Sequence, residues 1–162
     1  MNKFKTVRCT LAALFSCAAI IGFAPASAKP IGNWDFQSSD GFCSIGTNQN
    51  GGTLIMITTK SGLSVIMVIP ADQAAITVGK SYPLKVSLEG LADAGTNASA
   101  LEFGGSKVLV IDIDAAGLAA AAPDGLALRV KLNDVPVFDK NMHGSSEAFA
   151  AYVACSKAFT RS

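Results

Sequence analysis

The residues that could do chemistry in this chain are few and scattered. His143 is the single histidine among 162 residues, and it opens the run His143-Gly144-Ser145-Ser146-Glu147. A histidine, hydroxyls and a carboxylate are the material of an acyl-transfer site, where a base takes the proton of a serine nucleophile. No Gly-x-Ser-x-Gly elbow accompanies them, so the plainer reading is a loop histidine beside a helix cap. One histidine also excludes a zinc site built from several. Asp112-Ile113-Asp114 begins like a calcium loop. Its fifth and twelfth positions, however, hold Ala116 and Pro123, where an EF-hand needs oxygen ligands. Two carboxylates at a period of two share one face of a strand end, where solvation suffices. Gly104-Gly105-Ser106-Lys107 lacks the leading glycine of a phosphate loop and is followed by a strand pattern. Asn97-Ala98-Ser99 is a formal glycosylation sequon. No catalytic residue, metal site or cofactor is expected.

The cysteines carry more. Of four, Cys9 and Cys17 fall in an export signal, leaving Cys43 and Cys155. Lys3, Lys5 and Arg8 form a basic start, Cys9 to Phe23 is an apolar run, and Ala26-Ser27-Ala28 offers the small residues a signal peptidase needs. Residues 1–28 are therefore expected to be cleaved, with Lys29 first in the mature chain. The run is too short for a comfortable membrane span of ~20 residues. Leu14-Phe15-Ser16-Cys17 resembles a lipobox, but Phe15 is bulky and the apolar run continues beyond Cys17, which favours cleavage over lipidation. Two cysteines in an oxidising compartment have one intramolecular pairing, a Cys43–Cys155 disulfide. No close Cys-x-x-Cys suggests redox work.

Removing the signal leaves residues 29–162 as a single domain, large enough for a real core. It holds ten Lys and Arg against twelve Asp and Glu, so no basic stripe remains for nucleic acid or an anionic membrane.

The elements that must position these residues are mostly strands. Trp34-Asp35-Phe36 alternates, and Phe42 to Ile45 carries Cys43. Asn48 to Gly52 reads as a turn cluster. Thr53 to Thr59 and Leu63 to Ile69 form a β-branched hairpin about Lys60-Ser61-Gly62. Ile76 to Val78 and Tyr82 to Leu88 read as strands, and Asp93 to Ser99 as a surface loop. Ala100 to Phe103 pairs with Lys107 to Ile113 across two glycines. Ala115 to Ala122 favours a short helix that Pro123 stops. Leu126 to Leu132 and Val135 to Phe138 flank Asn133-Asp134, a two-residue hairpin turn, with Pro136 marking an edge strand. Serine caps and Glu147 open a closing helix over about 146–159. Its inward face is drawn through Ala148, Ala151, Tyr152, Cys155 and Phe159. The expected fold is mainly β (α+β), an antiparallel sandwich or partly closed barrel of about eight or nine strands with one C-terminal helix.

A Trp strand after the signal, an early cysteine, a β-rich middle and the closing Gly144-Ser145, Ala148 and Cys155 resemble small exported bacterial proteins of the invasion-associated locus B type. The resemblance implies a non-enzymatic envelope protein. The expected function is thus a periplasmic or secreted, non-catalytic β-rich protein that binds a protein or envelope partner through its surface. An inhibitor of a lysozyme or protease, presenting Asn48–Gly52 and Asp93–Ser99, is the second expectation. A hydrolase using His143 is the third.

Overall fold

The computed structural model describes residues 27–49, 52–89, 93–121, 127–141 and 144–159. One ten-stranded antiparallel sheet dominates, in the order β1-β2-β3-β4-β5-β8-β7-β6-β9-β10. The chain first meanders through β1 (Ser27–Ile31), β2 (Trp34–Ser38), β3 (Phe42–Gln49), β4 (Gly52–Thr59) and β5 (Ser64–Pro70). A long connection then leads to β6 (Ser81–Leu88), β7 (Ala94–Phe103) and β8 (Ser106–Asp112), which returns beside β5 in a Greek-key arrangement. Helix α1 (Ala115–Ala121) follows, then β9 (Ala127–Leu132) on the far side of β6, β10 (Val135–Asn141), and helix α2 (Ser146–Phe159).

The sheet curls without closing into a barrel. β10 packs over β3, β4 and β5 although it stands at the other end of the strand order. α2 crosses the inner face of β2, β3 and β4, and α1 lies beside it over β4 and β5. The enclosed core runs from Trp34, Ile45, Leu54 and Met56 through Leu109 and Ile111 to Phe138 and Tyr152. β5 is apolar on both faces because it is central. Val65, Met67 and Ile69 form a second cluster with Val108 on the outer side. Pro30 sits in β1 and Pro136 in β10, the strands at the two ends of the order. Each removes a donor from a strand that would otherwise recruit another.

Most expected elements are present, and the departures have local reasons. Ten strands replace eight or nine. One extra strand is β1, whose Lys29–Ile31 stays in the ladder beyond the expected cleavage point. Asp93–Ser99 is not a surface loop: from Ala94 onward it is the first part of β7, paired with β6. Its small polar residues have little strand propensity, but the ladder with β6 and the buried Ala98 and Ala100 override it. Ile76–Val78 forms no strand. The segment is a plug, with Ile76 buried and Lys107 Nζ donating to the carbonyls of Gln73 at 3.2 Å and Ile76 at 2.6 Å. Asn133 and Asp134 both take positive φ, 49° and 64°, as the tight turn requires. The expected export signal, apart from Ser27 and Ala28, lies outside the described residues. So do His143, Cys9, Cys17 and the Asn50-Gly51 turn.

Candidate functional site

α2 runs antiparallel to β3, so its two ends bring side chains to opposite ends of the β3–β4 ladder. The start of the helix meets Trp34, whose ring lies 5.0 Å from that of Phe149 in an edge-to-face contact. Lys140 of β10 is 3 % exposed and points into the same place. Its Nζ donates to Thr47 Oγ1 and lies 5.0 Å from the Trp34 ring centroid. Thr47 Oγ1 in turn donates to the Asn33 carbonyl at 2.9 Å. No carboxylate among the described residues pairs with Lys140, and burial holds its pKa below the usual lysine value. The ammonium is instead held by a hydroxyl and an aromatic face. It is enclosed, and no substrate reaches it in this conformation.

The other end of α2 is tied down and open to solvent. Cys155 bonds to the fully buried Cys43 of β3, with Cα atoms 6.1 Å apart, across 112 residues of chain. One turn earlier, the Tyr152 hydroxyl and Thr58 Oγ1 hydrogen-bond at 2.8 Å, and Thr58 Oγ1 is 3.3 Å from Ser64 Oγ. The Ala115 N–H donates to Ser64 Oγ at 3.0 Å, which fixes the start of α1 against β5. Beside this chain of hydroxyls lies a half-open groove of about 460 Å³. It is lined by Thr59, Lys60, Gly62, Asp112 and Asp114 from the sheet and its connections, and by Ser156, Lys157 and Phe159 from α2. Its volume falls in the range of small-ligand sites, roughly 300–1,000 Å³.

Burial pushes the Tyr152 phenol above its usual value, so it stays protonated and does not activate Ser64 as a base. Asp114 Oδ1 accepts the Gly117 N–H at 2.9 Å, committing that carboxylate to the first turn of α1. A Cβ at Gly117 would stand 2.3 Å from Asp114 Oδ2, so the glycine keeps the approach open. Asp112 and Asp114 both border the groove, but no third His, Cys, Asp or Glu among the described residues joins them to hold a metal. The disulfide forms as expected. Phe149 and Ser156 are buried on α2 although the expected face omitted both. Thr47 and Lys140 were missed as well. Phe138 and Lys140 share a face by strand alternation, the signal that could have found the buried lysine.

No protein-family model, curated protein or solved structure matches the chain. No helix among the described residues is long and apolar enough to cross a membrane.

Proposed function

We propose that this is an exported, non-catalytic β-rich protein that binds a protein or envelope partner through its surface, in the periplasm or outside the cell. The observation that carries the reading is the groove beside α2. It is preformed, lined by hydroxyls and charges of both signs, and lacks a nucleophile paired with a base among the described residues. The Cys43–Cys155 bond supports an oxidising compartment. The export pattern of residues 1–28 and the resemblance to envelope proteins of the invasion-associated locus B type point the same way. Proline in both end strands turns a partner away from edge pairing and toward a face.

The test is site-specific photo-crosslinking in the native envelope. A probe at Gly62, in the groove, is expected to trap a discrete partner, and a probe at Val135, on the exposed edge of β10, is expected to trap none. Equal trapping at both positions would remove the groove from the proposal. Ester or peptide hydrolysis abolished by His143→Ala would replace the whole reading with an enzymatic one.

A further inference from the structure

We infer that the sealed start of α2 is a binding site for one small monovalent anion of the chloride class, held by the Lys140 ammonium and the Trp34 indole N–H. Donors there outnumber acceptors. Lys140 Nζ carries three N–H donors, and Thr47 Oγ1 accepts one of them. Thr47 Oγ1 gives its own proton to the Asn33 carbonyl. Trp34 Nε1 is buried and has no acceptor among the described residues. The two side chains are 3 % and 1 % exposed, so bulk water does not make up the difference. The ammonium lies 5.0 Å from the centroid of the ring whose rim carries Nε1, which puts one acceptor at that rim within reach of both donors.

The surroundings set the charge of that acceptor. A buried ammonium is costly unless it is paired, and no carboxylate among the described residues pairs with Lys140. Desolvation is what shifts its pKa. Glu147, the acid in the first turn of α2, is exposed and stands 3.9 Å from Lys29 instead. The same first turn presents Phe149 to the Trp34 ring, so the positive end of this 14-residue helix faces the site and favours an anion further. A water would supply lone pairs and leave the charge. A phosphate or an organic acid needs an opening, and the place is enclosed. A halide answers charge and size together. It exchanges when β10, an end strand of the sheet, opens locally.

Trp34 is the only tryptophan of the chain, so its indole N–H gives one reporter signal. The experiment follows that signal by NMR while the folded protein is titrated with sodium chloride, the ionic strength being held constant with sodium sulfate. A saturable shift is expected with chloride and again with bromide, and none with sulfate alone. Lys140→Met keeps the reporter and removes the charge, and should abolish the shift. On passing from sulfate to chloride at ten times the half-saturating concentration, the parent should gain about 5 °C in melting temperature relative to Lys140→Met. The chloride and sulfate arms stand on the parent protein alone. A signal that does not respond would leave water as the acceptor and overturn the inference. So would a shift that never saturates, that appears equally in sulfate, or that survives in Lys140→Met.

Discussion

The two ends of α2 are both polar, yet one is sealed and the other open. At its start, a lysine, a threonine and a tryptophan are packed together with the charge satisfied from within. At its end, hydroxyls of Thr58, Ser64 and Tyr152 bond among themselves beside a groove that carries four charged side chains. Lys140, whose pKa burial lowers, is thus part of the scaffold, while ordinary surface charges border the candidate site. Perturbation by burial marks a functional group only where a ligand can arrive.

The contrast can be broken in four ways. Replacing Cys43 and Cys155 together by alanine releases the helix from β3 at the open end. In the chain-entropy picture this costs about 4 kcal/mol, read as a lowered urea midpoint. At the sealed end, Phe149→Ala removes the ring packed on Trp34 and should cost about 3 kcal/mol by the same measurement. A loss under 1 kcal/mol would show that this end is not packed as described.

Lys140→Met sharpens the comparison through pH. A lysine whose pKa falls on folding is protonated more readily in the unfolded chain. The penalty for burying its charge is whole below the lowered pKa and lifts as pH rises toward 10.5. The methionine variant should therefore be more stable than the parent by about 1 kcal/mol near neutrality, with the advantage shrinking as alkalinity increases. Tyr152 works in the opposite sense. Its contribution is whole below 10.0 and is lost as pH climbs through its raised value, so the comparison belongs below that point. A pH-independent difference between the two proteins would contradict the buried charge. The smallest effect is expected of Lys60→Glu, an exposed side chain at the open end, which should leave the melting temperature unchanged. A clear drop would show that Lys60 is structural.

Legibility in the sequence followed local signals. The β4–β5 hairpin, the Asn133-Asp134 turn and α2 were readable because β-branched runs, turn residues and a capped amphipathic helix each declare themselves within a few residues. The disulfide followed from there being two cysteines past the expected export signal. β7 was half read, since Ala94 to Ser99 becomes a strand only through its ladder with β6. Phe149 escaped because the helix face was drawn toward Cys155. The groove was half legible: Asp112 and Asp114 stood out by spacing, but Lys60, Ser64 and Lys157 join them only through the order of the strands. The buried lysine needed the curl that carries β10 over β3, and no short window of sequence reports a curl.

The span of the Cys43–Cys155 bond also orders events in time. The chain is made from its N-terminus, so β3 is complete 112 residues before its covalent partner exists. Cys43 therefore cannot take up this bond until the residues of α2 have been made. The helix end that the bond fastens is the same one that supplies Ser156, Lys157 and Phe159 to the groove. The helix side of the groove is thus fastened by a bond that only the last part of the chain can complete.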